Sequence, residues 1–476
     1  MHHECGLIGL YHVDQAATKT YYGLYALQHR GQEGCGIYTC DEQSFEGQKS
    51  FGMVRSVLED KVEKLEARGA RNALGHCLYV SKENHLTSNL QPMHFRHMRA
   101  EFALASNGSL LNQEQLCAEL QQNGAIFQST SICEILAYLL VQNKDKFLPA
   151  LTSSLQRLVG SFCYVILRRD KLYAVRDPLG MMPLALGRLG EGWVIASENC
   201  AFDIIGAEFV RDVEPGEIIE ISANGLSSTR FAERQKSAIC LMEYIYFARP
   251  DSEIDGINVH LSRFRAGMQL ARESFAPSDL IVGVPESATS TARGYAEECG
   301  VPFDQGLIKN KYSGRTFIES TQTRRDLAVS MKLSPIHPLV KGKRITLVDD
   351  SIVRGTTSRQ IIAMMRRAGA REVHMRIASP KMISPCFYGV DTSSYDQLIG
   401  STRSTEEICR CIGADSLAYI SNEGLRRAIG RDSVCDACFS EHYPTPLFDY
   451  KKIIDAEKER RARCHTGNEK DLEKTL

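Results

Sequence analysis

The densest chemistry in the chain lies between Arg344 and Ser358, which read RITLVDDSIVRGTTS. The apolar run Ile345 to Val348 has the character of a buried strand and delivers Asp349 and Asp350 to its carboxyl end. A Gly355-Thr356-Thr357-Ser358 turn then opens a helical pattern. Backbone N–H groups and hydroxyls at the positive end of a helix suit a phosphate monoester. Two adjacent carboxylates are costly to desolvate together as anions, so they suit the two hydroxyls of a ribose or the hydrated sphere of a Mg²⁺ ion. A bare Asp-Asp-Ser turn would more often be a polar turn with a capping Thr; the whole run Thr346 to Ser358 favours the phosphate site. A second pattern, Cys435-x-x-Cys438, has metal-ligand spacing, although the same spacing serves redox pairs and structural thiols.

The elements that hold these residues follow from periodicity. Through about residue 238 the chain has short β-like runs: CGLIGLYH, NALGHCLYV, FALASNGSLL, SFCYVILR, LYAVRD, GWVIAS and EIIEIS. Helical patterns lie between them, notably AATKTYYGLYALQHRG and SICEILAYLLVQN. Strands in bursts favour a layered α+β domain. The polar stretch SANGLSSTRFAERQKSA carries the chain out of it. From about residue 240 strands and helices alternate (DLIVGVPES, TARGYAEECG, RITLVDDS, TTSRQIIAMMRRAGA, EVHMRIASP), as in a parallel sheet covered on both faces. Such sheets bind ligands at the carboxyl ends of their strands. The last 26 residues are charge-dense and read as a solvated helix or frayed tail.

Composition sets the frame. At about 150 residues per domain, 476 residues predict two or three domains. Lys+Arg 57 against Asp+Glu 58 leaves a formal net charge of −1, so no global basic field recommends nucleic acid or membrane as a partner. The start MHHECGLIGLYH has no signal-peptide pattern, and no apolar run reaches the roughly 18 residues of a membrane span. A cytoplasmic protein is expected. In a reducing compartment its 16 cysteines read as buried thiols, a catalytic thiol, metal ligands or a mixture, rather than disulfides.

The Thr346–Ser358 run resembles the phosphoribosylpyrophosphate (PRPP) motif of type I phosphoribosyltransferases, in the form found in the amidophosphoribosyltransferase family. LMEYIYFARPDS, VPES, LIKNKYSGRTFI and CFYGVD are similar to that family, as are LQHRGQEGCGI, SNGSLLN, RDPLGMMPL and ASEN in the first half. The resemblance covers essentially the whole chain, in order. It implies an α+β N-terminal-nucleophile (class II glutamine amidotransferase) αββα domain followed by an α/β type I phosphoribosyltransferase domain. The expected division is residues 1–4 a propeptide, 5–238 the amidotransferase, 239–450 the transferase and 451–476 the charged tail. The implied reaction is ammonia, released from glutamine and channelled internally, displacing pyrophosphate from PRPP to give 5-phosphoribosylamine, the first step of de novo purine synthesis. The transition state is oxocarbenium-like, so the protein must neutralise the leaving group and hold ammonia in line.

By resemblance, Ser287, Asp349 and Asp350 serve the Mg²⁺–PRPP complex. Arg354, Gly355, Thr356, Thr357 and Ser358 form the loop that cradles the 5-phosphate, while Lys309, Lys311 and Arg315 sit on a loop closing over pyrophosphate. Ser330 stands where the family usually has an Arg. Cys5 is the implied nucleophile once Met1 to Glu4 are removed, because an N-terminal nucleophile uses its own α-amine as base. Asn107 and Gly108 match the oxyanion donors, and Arg30 also matches. Cys240, Cys386, Cys435 and Cys438 fall where iron–sulfur members place the ligands of a [4Fe–4S] cluster, with Zn²⁺ the alternative on the same Cys₄ set. The family also implies purine nucleotides as feedback inhibitors and a homo-oligomer, a tetramer.

Two positions of the glutamine pocket also differ from the family. Leu78 stands where an Arg binds the glutamine α-carboxylate, and Ile132 where an Asp pairs with the α-ammonium. Losing one charge-assisted partner in a closed site costs about 2–5 kcal/mol, so glutamine use is expected to fall by orders of magnitude. Lys82 or His85 are candidate substitute cations. Three readings follow: a working glutamine enzyme with a rearranged pocket, an ammonia-using phosphoribosyltransferase with a vestigial amidotransferase, or a non-catalytic paralogue that binds PRPP or purine nucleotides and regulates an active relative.

Overall fold

The computed structural model describes residues 5–79, 85–310, 332–392 and 394–466. The first half stacks two antiparallel sheets. One has seven strands in the order β11-β9-β10-β1-β4-β2-β3: β1 (Gly6–Tyr11), β2 (Gly34–Cys40), β3 (Phe45–Phe51), β4 (Asn72–Leu78), β9 (Ala185–Leu189), β10 (Gly192–Ala196) and β11 (Glu208–Asp212). The other has six in the order β13-β12-β8-β7-β6-β5: β5 (Met93–His97), β6 (Ala100–Leu110), β7 (Gly160–Leu167), β8 (Lys171–Arg176), β12 (Glu217–Ser222) and β13 (Gly225–Arg230). Helix α1 (Ala16–Ala26) packs on the outer face of the first sheet. Helices α2 (Val54–Leu58) and α3 (Val62–Glu66) sit beside it. Helices α4 (Gln113–Gln122), α5 (Ile132–Gln142) and α6 (Phe147–Leu155) flank the second sheet. This is the αββα sandwich expected of the first half.

Central strands are covered on both faces, which is why GSFCYVIL in β7 is buried along its whole length and shows no alternation. Leu7, Ala103, Ala105 and Val165 fill the space between the sheets. The expected β-like runs all lie in strands. One expectation needs correction. Part of the polar stretch 222–238 is not a connector: GLSSTR forms β13 and pairs with β12 through Glu217–Arg230 to Ser222–Gly225. It is an edge strand facing water, so it carries no apolar signature.

The second half begins with β14 (Ile239–Cys240), followed by a hairpin of β15 (Glu253–Ile254) and β16 (Ile257–Asn258). Helix α7 (Val259–Glu273) packs along α8 (Thr289–Cys299). A parallel four-stranded sheet forms the core, in the order β17-β20-β21-β22. Its strands are β17 (Leu280–Gly283), β20 (Arg344–Asp349), β21 (Glu372–Ile377) and β22 (Ser416–Tyr419), and a short ladder of β18 (Leu307–Lys309) and β19 (Leu333–Pro335) lies beside it. Near the C-terminus β23 (Val434–Cys435) returns to pair in parallel with β14, and the charged tail is helical from Tyr450 to Thr466.

The halves share a core: Leu111, Leu179 and Met181 of the first pack with Ile239, Leu241 and Tyr244 of the second. Two buried ionic groups reinforce the junction. Arg30 pairs with Glu198 of its own half and with Glu243 of the other. Asp255 accepts from Arg176 Nη1 and from Arg431 Nη1, each at 2.8 Å. Among the described residues no helix is long and apolar enough to cross a membrane.

Candidate active site

Two sites occupy the two halves. In the first, Cys5 opens β1 and is fully buried. Its backbone N–H donates to Asn107 Oδ1 at 3.0 Å. That bond turns the Asn107 amide so that Nδ2, which is buried, has no acceptor among the described residues. Gly108 follows with φ +109°, and a Cβ there would lie 2.1 Å from the Ser161 carbonyl oxygen. Only glycine fits, which leaves the Asn107–Gly108 backbone in a geometry that side-chain-bearing residues rarely adopt. A thiol beside a donor amide is suited to acyl transfer, with the amide placed to stabilise an oxyanion.

Apolar side chains line part of this site. Cys5 packs with Leu78 and Leu90, and Phe51 and Tyr79 border them. Leu78 is the last residue of β4, paired with Gly34 of β2, and is fully buried. Ile132 begins α5 behind the capping Ser131, whose Oγ accepts from Cys133 N. Its side chain packs into the core between α5 and the six-stranded sheet with Phe102, Leu104 and Leu136. Neither position offers a charge to the pocket. Of the two candidate substitute cations, His85 stacks on Phe51 with ring centroids 3.7 Å apart, which places it at the pocket's border. Lys82 lies outside the described residues. Arg30 reaches Glu198 and Glu243 at the domain junction. Burial opposes its charge, but Glu243 and Glu198 outweigh that and hold its pKa up.

The second site forms where β20 ends. Asp349 and Asp350 are 8% exposed each. Asp350 accepts from Ser351 Oγ at 2.7 Å and from Ser287 Oγ, which the segment after β17 presents. Burial, then the charge of Asp350, push the Asp349 carboxyl well above its ordinary range. Burial also raises Asp350, against the hydrogen bonds of Ser287 and Ser351 and the charge of Arg263. Two carboxylates and a hydroxyl, the carboxylates short of countercharge, are an oxygen donor set that a hard divalent cation would satisfy.

Gly355 adopts the left-handed conformation (φ +75°) and starts the Thr356–Arg367 helix. The first intrahelical bond runs from Arg359 N to Gly355 O, so the amides of Thr356, Thr357 and Ser358 point out of the helix end. Arg354 is exposed and donates to Gln397 Oε1 at 2.7 Å. Lys309, at the end of β18, pairs with Glu286 at 3.4 Å. Lys311, Arg315 and Ser330 fall outside the described residues.

The four predicted ligand cysteines converge. Cys240 and Cys435 are register partners across β14 and β23. Together with Cys386 and Cys438 they line one enclosed apolar cavity. Burial pushes Cys435 up to about 12, and burial with the neighbouring thiols holds Cys240 and Cys438 well above the ordinary thiol range. Among the described residues, no three His, Cys, Asp or Glu side chains stand close enough together to share one metal ion.

Sequence reasoning missed Glu198, Glu243, Asp255 and the hydrogen bond from Tyr79 OH to Asp391 Oδ2 (3.1 Å), all at the junction. Glu198 and Glu243 do sit inside ASEN and LMEYIYF, two of the segments that carried the resemblance.

Comparison with known proteins accords with this arrangement. A glutamine amidotransferase domain model matches residues 78–203 and a phosphoribosyl transferase domain model residues 256–381. The chain is 46% identical to the amidophosphoribosyltransferase of Bacillus subtilis, over 94% of this chain and 95% of that one. It is 42% identical to that of Staphylococcus aureus, over 99% and 97%. The solved structure of the B. subtilis glutamine PRPP amidotransferase complexed with ADP and GMP superposes with a TM-score of 0.88 at 45% identity, covering 94% of this chain and 98% of that one. A structure described as the allosteric regulatory enzyme of purine biosynthesis gives 0.90 at 44% identity, covering 95% and 99%. With an αββα sandwich around Cys5 joined to a parallel sheet ending in a buried acidic pair, and with relatives of this identity along nearly its full length, the chain belongs to the amidophosphoribosyltransferase family.

Proposed function

We propose that this protein transfers ammonia to PRPP, releasing pyrophosphate and forming 5-phosphoribosylamine, the first step of de novo purine synthesis, and that glutamine serves it poorly as the ammonia source. The observation that carries the transferase reading is the acidic pair Asp349–Asp350, with Ser287 on Asp350, beside the Gly355 turn that opens a helix. Asp349, Asp350 and Ser287 hold Mg²⁺ with PRPP in this reading. Bound there, the ion would neutralise charge on the departing pyrophosphate. The amides and hydroxyls of Thr356, Thr357 and Ser358 take the 5-phosphate, and Lys309, with Lys311 and Arg315, takes the pyrophosphate.

Weak glutamine use follows from Leu78 and Ile132. The amino-acid end of glutamine carries two charges, and neither residue can pair with one. The reactive part of the pocket is less changed: Asn107 and Gly108 are placed as oxyanion donors, and removal of Met1 to Glu4 would free the Cys5 α-amine to act as base. The four thiols around one cavity support a [4Fe–4S] cluster, which takes one thiolate at each corner, over a single Zn²⁺, which would need all four sulfurs on one ion. The family relation further supports a cytoplasmic homo-oligomer, a tetramer, that answers to purine nucleotides. Domain limits of 5–238 and 239–450 accord with the exposed stretch between β13 and β14.

The test is PRPP consumption by protein purified anaerobically with iron and sulfide, first with glutamine and then with ammonium chloride at alkaline pH. Substantial turnover with ammonia and much weaker turnover with glutamine is expected. Equal rates would overturn the claim of a damaged glutaminase, and silence with both donors would support the regulatory paralogue instead.

A further inference from the structure

We infer that the turn from Asp177 to Met182, in the amidotransferase half, is the closing wall of the four-cysteine cavity, so that a cluster held there is shielded by that half and pins it in place. The inference rests on the cluster reading above. All four thiols belong to the second half, but Met181 and Met182 line the same cavity. Both are buried.

The turn is held from several directions. Asp177 accepts from Leu179 N at 2.9 Å and Met181 N at 3.0 Å. The carbonyl of Met181 accepts from Cys240 N at 3.0 Å, which attaches the turn directly to a predicted ligand. Arg176, fully buried, donates Nε to Met182 O at 2.7 Å and Nη2 to Gly180 O at 2.9 Å. The same guanidinium reaches Asp255, which also accepts from Arg431, four residues before Cys435. One hydrogen-bonded assembly thus fixes both the methionines and the chain that carries Cys435 and Cys438.

Thioethers suit this position. They are uncharged and adaptable, so they fill space against thiolates without repelling them and exclude water. The apolar shell of a metal site controls access of solvent and competing ligands, and altering such outer-shell groups changes metal retention by roughly 10- to 100-fold.

The experiment uses the full chain, reconstituted anaerobically. Iron and sulfide content of the unmodified protein tests the cluster itself; absence of both overturns the cluster reading and this inference with it. Given a loaded protein, iron release to a strong chelator is timed for Met181→Ala, Met182→Ala, their Met→Leu counterparts, and Leu186→Ala, which packs between the two sheets in the same cluster as Met182 but does not line the cavity. Roughly 10- to 100-fold faster release is expected for the Ala variants, and near-unmodified rates for the Leu variants and Leu186→Ala. Unmodified rates in the Ala variants, or equal acceleration by Leu186→Ala, overturn the shielding. The pinning is read separately by trypsin cleavage in the exposed stretch carrying Arg234 and Lys236. Severalfold faster cleavage after iron removal is expected, and an unchanged rate overturns it.

Discussion

The Cys5 pocket and the Asp350 site answer the same problem, holding a small charged molecule at a reactive centre, with different materials. At Asp350 the charged and polar groups are in place: two buried carboxylates, the hydroxyls of Ser287 and Ser351, and a helix end turned toward solvent. At Cys5 a thiol, the Asn107 amide and Gly108 stand together, while Leu78 beside them and Ile132 in the α5 core carry no charge. The difference separates chemistry from recognition. Asn107 and Gly108 are positioned by backbone constraints, a hydrogen bond to Cys5 N and a left-handed glycine wedged against Ser161. In the reading proposed above, recognition of free glutamine would depend on two side chains, and leucine and isoleucine stand at those positions without disturbing the sheets. The replacements are also well packed. Leu78 joins Leu90 around Cys5 and Ile132 joins the α5 core, so both side chains are satisfied by apolar packing.

That contrast can be tested by placing charge and bulk at matching points in the two sites. Leu78→Arg restores the missing type but buries an unpaired guanidinium, so a loss of about 3–5 kcal/mol in unfolding free energy is expected by urea titration. Added glutamine should recover part of it; a neutral effect would mean that an acidic partner remains nearby. Asp350→Asn should lower ammonia-dependent turnover about 10²- to 10³-fold, with stability little changed, because it strips charge from a site built to hold it. An equally large stability loss would indicate that Asp350 is structural.

The two glycines give the finer comparison. Gly108→Ala should cost about 2–3 kcal/mol in stability, because the new Cβ meets the Ser161 backbone as well as an unfavourable φ. In Gly355→Ala the nearest atom is the movable Ile399 Cδ1 at 3.0 Å, so about 1 kcal/mol and a few-fold rise in KM for PRPP are expected. If the order of these two costs reverses, the backbone account of the Cys5 site fails. A steady rise of ammonia-dependent turnover with pH, as ammonium loses its proton, checks that free ammonia is the nucleophile.

How much of this could be read from the chain depended on how local each feature is. The phosphate loop is a strand, an acidic pair and a helix start within fifteen consecutive residues, so its strand end, its turn and its helix were all readable from residue types. The alternation of the second half predicted a parallel sheet for the same reason. The β13 edge was misread because a strand facing water has no apolar period. Arg30 matched a motif, but nothing local could say that it turns toward Glu243, 213 residues away.

The sequence by itself determined the two kinds of domain, the acidic pair with its phosphate turn, and the apolar residue types at positions 78 and 132, because each is a matter of residue type within a short segment. Tertiary structure decided which distant segments meet. It set Cys240 against Cys435, joined Tyr79 to Asp391 across 312 residues, turned Ile132 into the helix core, and laid the Asp177–Met182 turn over the cysteine cavity. Contacts of that kind arise when two separately formed faces bury one another, and burial between faces leaves no periodic mark in either segment alone.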